Sequence, residues 1–192
     1  MHPQLYWGGT PQGFEMSNYL EIKVPIRWNA KWFAELRDAV ASEGIPVKWQ
    51  TRFFHITVAF INNDEPVEVI KDAFDRMLAD RCALSLTLDK LDAFVANDAP
   101  VIIVNLTASH TPPEFNILVY QLRETALENG AVIYGNFLLH VTLGRIDTDN
   151  ASLGQVKEIV SGIKVPPFAL QLDEAEYRYY RGESICSWKM KN

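Results

Sequence analysis

Only two cysteines, Cys82 and Cys186, occur in 192 residues. That excludes a disulfide-stapled scaffold, and the pair lacks metal-ligand spacing. They read as reduced thiols, in keeping with a cytoplasmic protein. Positive charge is also short: 18 Lys and Arg stand against 24 Asp and Glu, a net charge of −6. A broad nucleic-acid surface needs clustered Lys and Arg, so none is expected. A small phosphate ester, or the end of an RNA strand, needs only local positive charge and stays open. No apolar run approaches the roughly 20 residues that a membrane span requires. Residues 1–18 carry Gly8, Gly9, Pro11 and Gly13 but no basic-then-apolar pattern, which predicts a loose arm and not a signal peptide. Histidine is rare too: His2, His55, His110 and His140 are the whole complement.

What is present is ordinary globular material, 48% apolar and 22% charged, enough for one domain over 19–192. The order of its elements repeats. Residues 19–26 read as a strand, and Asn29 as the N-cap of a helix over 30–42, with Phe33, Leu36, Ala39 and Val40 at helical spacing. Gly44 and Pro46 end it. A strand over 53–61, a helix over 66–79 and a strand over 84–94 close a first half of about 19–95. The second half, about 100–190, runs strand 101–106, helix from Thr111-Pro112-Pro113 to 129, strand 137–146, helix 150–161, strand 168–180 and strand 184–190. Equivalent elements lie about 82 to 85 positions apart, a repeat of pattern with little identity of residue. The expected fold is α+β and bilobal, with two pseudo-symmetric lobes, each with a mainly antiparallel sheet and two helices. A monomer is expected.

Within that repeat, His55-Ile56-Thr57-Val58 returns as His140-Val141-Thr142-Leu143. Residues two apart in a strand share a face, so His55 and Thr57 point one way, and so do His140 and Thr142. A polar pair on one face of an apolar strand must be partnered or functional, because an unpaired buried polar group costs about 1–3 kcal/mol. One His-x-Thr in a strand is ordinarily a packed histidine beside a strand-favouring threonine. Two, at equivalent places of a repeat and facing one cleft, point to acid–base chemistry on a phosphate. Histidine suits both proton roles because its unperturbed pKa of about 6.5 lies near working pH.

The chain resembles the two-histidine phosphoesterase superfamily, and within it the bacterial 2′–5′ RNA ligase and cyclic phosphodiesterase family. The likeness rests on His55-Ile56-Thr57-Val58-Ala59-Phe60 and His140-Val141-Thr142-Leu143-Gly144-Arg145, and extends over about 19–190 with the 100–104 strand and the closing hairpin. Where the family's first motif ends Phe-Leu-Gly, this chain has Phe60-Ile61-Asn62, which leaves room for a turn at Asn62. The resemblance implies hydrolysis of a 2′,3′-cyclic phosphate or a 2′–5′ phosphodiester of a nucleotide or RNA end, without metal or other cofactor. It implies His140 as base and His55 as acid, although the residues alone leave that direction open. Thr57 and Thr142 would donate hydrogen bonds to the non-bridging phosphate oxygens. The alternatives are 2′–5′ ligation at the same site and a non-catalytic nucleotide-binding module.

Other residues are candidates for substrate contact. Arg145 carries useful charge, but strict alternation from His140 turns it to the opposite face unless the strand bends. Gly144 falls on the His140 face, where it either admits a ligand or marks a bulge or tight packing. Tyr177, Tyr179 and Tyr180 near the closing hairpin offer rings for a base, or for cross-strand packing. Arg178 and Arg181 add charge there, offset by Glu174, Glu176 and Glu183. Trp7 and Trp49 line the cleft or fill core. His110, before Pro112, reads as an exposed loop residue.

Overall fold

A computed structural model describes residues 17–51, 53–63, 66–97, 99–180 and 182–191. The expectations for His2, Trp7, Arg181 and most of the arm fall outside them. Eleven strands and four helices alternate among the described residues. They are β1 (Asn18–Val24), α1 (Lys31–Ser42), β2 (Lys48–Trp49), β3 (Phe54–Asn63), α2 (Val67–Leu78), β4 (Leu84–Leu88), β5 (Lys90–Val95) and β6 (Val101–Thr107). Then come α3 (Pro113–Glu128), β7 (Ala131–Tyr134), β8 (Val141–Asp147), α4 (Leu153–Ser161), β9 (Phe168–Leu172), β10 (Glu174–Arg178) and β11 (Ser184–Lys189).

The class is α+β, as expected, with antiparallel pairing throughout the named strands. One sheet runs β11-β10-β1-β3-β8-β6-β5, with β2 added on β8 and β7 on β3, while β4 and β9 form a separate ribbon. The closing strands are exchanged between the halves: β5 pairs with β6, and β10 pairs with β1. The centre of the sheet is the seam of β3 and β8, registered at Ile56 opposite Val141.

Each helix exists because its apolar residues recur at threes and fours. In α1 these are Trp32, Phe33, Leu36 and Val40, and in α2 Ile70, Ala73, Phe74 and Leu78, all buried. The first helix begins one residue later than its sequence suggests, because Ala30 and not Asn29 occupies the cap, with no side-chain bond. Gly44, at φ 68°, takes the left-handed turn that stops it. The helices pack in pairs, α1 with α4 and α2 with α3. They cover the face of the sheet that carries Leu20, Ile22, Ile56, Val141 and Leu143, all essentially inaccessible. The opposite face is left for polar side chains. No helix among the described residues is long and apolar enough to cross a membrane.

Two single strands of the sequence reading are each broken. Residues 84–94 divide into β4 and β5 at Asp89, and 168–180 divide into β9 and β10 at Asp173. Asp89 is anchored where it breaks, its amide donating to the Thr107 carbonyl and its carboxylate accepting from the Ser109 amide. The strand expected over 137–146 begins only at Val141, with β7 formed earlier as a short partner of β3. Asn62 makes no turn: it lies inside β3, paired with Val132, and among the described residues no non-glycine has a positive φ.

Candidate active site

The Ile56–Val141 pair sets the geometry of the two motifs. Antiparallel register carries His55 beside Thr142 and Thr57 beside His140, all four on the face away from the helices. Thr57 and Thr142 are both half-buried there.

Each motif ends in a bulge. In β3 the register against β1 slips so that Leu20 faces Ala59 while Glu21 faces Thr57, leaving Val58 extra. In β8 the register against β6 slips in the same way, with Val104 facing Gly144, Asn105 facing Thr142, and Leu143 extra. Val58-Ala59 and Leu143-Gly144 are therefore consecutive buried pairs. A bulged carbonyl leaves the ladder and needs another donor. The Arg123 guanidinium donates to Val58 O at 3.1 Å, and the Gln50 amide donates to Leu143 O at 2.8 Å.

The bulges reset which face the following residues occupy. Arg145, which strict alternation would turn away, returns to the side of Thr142 and is exposed. Its charge reaches His55, where it works against protonation. Phe60 returns to the same face after the other bulge, opposite Tyr19. Gly144, by contrast, is turned into the protein and packed: an added methyl carbon would lie 2.7 Å from Val47 Cγ1 and 2.8 Å from Trp49 Cε3. Of the alternatives for Gly144, bulge and tight packing both hold, and ligand access does not. Gly144→Ala is expected to destabilise the fold by about 1–3 kcal/mol, the usual cost of overpacking. Urea unfolding measures it, and a loss below about 0.5 kcal/mol would refute the contact.

Other sequence candidates divide. Tyr177 is not a substrate contact. It is wholly buried on the helix side, edge-on to Phe74 with centroids 5.9 Å apart. The cause is the break at Asp173, which resets the alternation so that Ala175 and Tyr177 continue the buried face of Leu170 and Leu172. Tyr179 and Tyr180 are exposed around the turn after β10, where the Tyr179 amide donates to Glu183 O. Trp49 packs into the core against Phe33, centroids 5.7 Å apart. His110 is exposed in the loop before α3.

The two histidines have unlike surroundings. His140 lies just before β8, in a segment held by the Thr107 hydroxyl donating to Leu139 O at 2.7 Å. Its Nδ1 is 2.8 Å from Leu138 O. A carbonyl only accepts, so Nδ1 carries the proton and Nε2 keeps a lone pair. Phe94 meets the ring edge-on at 5.1 Å. Burial lowers the His140 pKa, partly offset by the Leu138 bond.

His55 is 23% exposed and sits among rings, with Tyr19 stacked at 6.2 Å and Phe53 tilted at 6.0 Å. Burial first, then the charges of His140, Arg178 and Arg145, pull its pKa down to about 4. Behind it lie groups that the motifs did not reveal. Glu21 Oε2 is 3.5 Å from His55 Nδ1, and Arg178 Nη1 is 3.5 Å from Glu21 Oε1 and 3.0 Å from Glu176. Lys23 bridges Glu174 at 2.7 Å and Glu176 at 3.0 Å. Along β1, Tyr19, Glu21 and Lys23 alternate with Leu20, Ile22 and Val24, a pattern that puts Glu21 on the polar face but gives no sign of its burial or partners. Among the described residues, no three His, Cys, Asp or Glu side chains converge as a metal-binding set.

No family model and no curated protein matches this sequence. Solved structures do match its fold. Kluyveromyces marxianus Usb1 aligns over 92% of this chain and 99% of its own at 10% identity, with a TM-score of 0.59. E. coli LigT complexed with 3′-AMP aligns over 92% and 99% at 18% identity, TM-score 0.57. The MHV ns2 PDE domain aligns over 85% and 98% at 12% identity, TM-score 0.50. This chain therefore shares the fold of these solved structures.

Proposed function

We propose that this protein is a metal-independent phosphodiesterase that opens a 2′,3′-cyclic phosphate, or cuts a 2′–5′ phosphodiester, of a nucleotide or RNA end. The observation that carries this reading is the Ile56–Val141 register, which sets each histidine beside the other motif's threonine on one face. A single phosphate there meets two imidazoles and two hydroxyls.

His140 is the base. Its Nε2 lone pair takes a proton from water as the water oxygen bonds to phosphorus. His55 is the acid, its Nε2–H protonating the ribose oxygen as the P–O bond breaks. Thr57 and Thr142 donate to the non-bridging oxygens, where charge grows in the transition state, and their β-branching holds the hydroxyls in place. Arg145 lies on the same face and neutralises substrate charge. Phe53, exposed beside His55, and Phe94, edge-on to His140, offer flat surfaces for a base. The net charge of −6 favours a small or end-only substrate. LigT, whose structures hold 3′-AMP and NADP+, supports the nucleotide class. Run in reverse on two RNA ends, the same groups would ligate.

The test is an EDTA-treated assay on the four nucleoside 2′,3′-cyclic monophosphates and on 2′–5′-linked dinucleotides. The expected result is turnover of at least one class, with the cyclic substrates yielding a nucleoside monophosphate. Silence on both classes would sink the reading, and turnover that EDTA abolishes would sink its metal independence.

A further inference from the structure

Glu21 has no part in the chemistry set out above, yet it lies directly behind it. Its side chain is wholly buried. Neither of its oxygens, nor His55 Nδ1, has a hydrogen-bond partner among the described residues. Buried polar groups are seldom left so, and these orphans face one another across 3.5 Å. One proton between Oε2 and Nδ1 satisfies both groups once the gap closes to ordinary hydrogen-bond length. Catalytic hydrogen bonds are often long before substrate binds and tighten afterwards. The rear nitrogen of the other histidine meets a different group: the Leu138 carbonyl behind His140 neither gives nor takes a proton. The two rings are thus equivalent in their motifs and unlike at the rear nitrogen.

We infer that Glu21 is the proton reserve of His55, handing its carboxyl proton to Nδ1 in the step in which Nε2 protonates the leaving oxygen. This rests on the reading of His55 as the acid, and Glu21 is a positioning residue, since it touches His55 and not the phosphate. The protons balance. The Glu21 O–H breaks as N–H forms at Nδ1, and the Nε2–H breaks as O–H forms on the ribose oxygen. The imidazole is neutral before and after, in the other tautomer. Glu21 ends as a carboxylate near the Arg178 guanidinium. Solvent refills it between turnovers, while His140 releases the proton it took from water.

The surrounding charges agree with a filled reserve. Tyr19 and Lys23 flank Glu21 on β1, Glu176 and Arg178 face it from β10, and His55 from β3. His140 and Arg145 bear on His55 from the β8 side. Burial, with help from Glu176, lifts the Glu21 carboxyl to about 7 against the pull of Arg178 and Lys23. With His55 drawn down to about 4, a proton shared by the pair below about pH 7 rests on the carboxyl and not on the imidazole. A raised carboxyl is full below its pKa and empty above it, so the rate falls as pH rises through about 7. His140 must be unprotonated, which sets the acidic limb.

The experiment has two arms. In the first, ¹⁵N NMR of the wild-type protein near pH 6 reads the His55 tautomer, with the signal assigned by its loss in His55→Ala. Proton on Nε2 with a bare Nδ1 is expected; proton on Nδ1 overturns the inference whether or not any variant folds. In the second, kcat–pH profiles compare wild type, Glu21→Gln and Glu21→Asp. Glutamine cannot pass a proton, so kcat near pH 7 is expected to fall by about 10²-fold and the alkaline limb to move to lower pH. Aspartate keeps the limb. A glutamine variant within about threefold of wild type, with an unmoved limb, also overturns it. If His55→Ala keeps its turnover, the two-histidine reading itself has failed. If His55→Ala is dead and Glu21→Gln intact, only the proton reserve has.

Discussion

His55→Ala and His140→Ala are each expected to lower kcat by about 10³-fold on a ribose-linked phosphodiester, within the usual range for a proton-transfer group. The two losses should then separate by leaving group. A substrate that expels p-nitrophenolate needs little help from an acid, so His55→Ala should recover most of its rate on it, and His140→Ala should not. The asymmetry follows from the ring environments: the Leu138 carbonyl fixes His140 as an acceptor at Nε2, whereas His55 has a carboxyl at its rear. Equal recovery of both variants would contradict the assignment of base and acid. Full activity in either on the ribose substrate would end the catalytic reading. Neither substitution touches the core, since both rings lie on the face away from the helices, so circular dichroism should be unchanged.

Thr57→Val and Thr142→Val keep shape and β-branching while deleting the hydroxyl. Each is expected to cost about 10²-fold in kcat, the range found for removing one oxyanion donor. The double variant should fall by about 10³-fold or more, short of strict additivity if both hydroxyls serve the same oxygens. The loss should appear in kcat more than in KM, because the hydroxyls strengthen their hold as charge grows on phosphorus. Serine at either position restores a donor on a less rigid side chain and should recover most of the rate. A pure phosphate receptor would give the opposite pattern, with KM rising and kcat steady, and that outcome would favour the binding-module alternative.

The motifs and the helices were legible because each obeys one local period. The apolar spacing at Phe33, Leu36 and Val40 belongs to a helix wherever it occurs, and His-x-Thr projects both side chains together in any strand. The strand faces beyond the motifs were not legible, because single-residue slips change them. Val58 and Leu143 are bulged, and the slip sends Phe60 and Arg145 to the site and Gly144 into the protein. The composition hints at it: each motif has two apolar residues in succession after its threonine, the second of them small, Ala59 or Gly144. Asp89 and Asp173 mark a second kind of slip. The apolar phase runs on even numbers through Leu84, Leu86 and Leu88, then on odd numbers through Leu91 and Ala93. A strand read straight through Asp173 puts Tyr177 on the face opposite Leu170 and Leu172, which leaves its ring open to either a base or cross-strand packing.

Glu21 escaped notice for another reason. A carboxylate in a strand reads as solvated, and only the neighbouring strands, β10 with Arg178 and β3 with His55, bury it. Those neighbours come from about 34 and 157 positions along the chain, beyond the reach of any local pattern.

The exchange of closing strands bears on how the chain reaches this state. Until residues 174–178 are made, β1 has no partner on its outer edge, and β5 must wait for β6 to lie beside it. A ribosome that has released the first half has produced a sheet with an open flank, the kind of edge that recruits other chains. Neither half can close alone, so the pairing of β1 with β10 joins segments near opposite ends of the described chain. Long-range closure of that kind slows folding. The nascent protein therefore spends the synthesis of its second half in need of protection, and scission in the loop between β5 and β6 would yield two fragments able to fold only together.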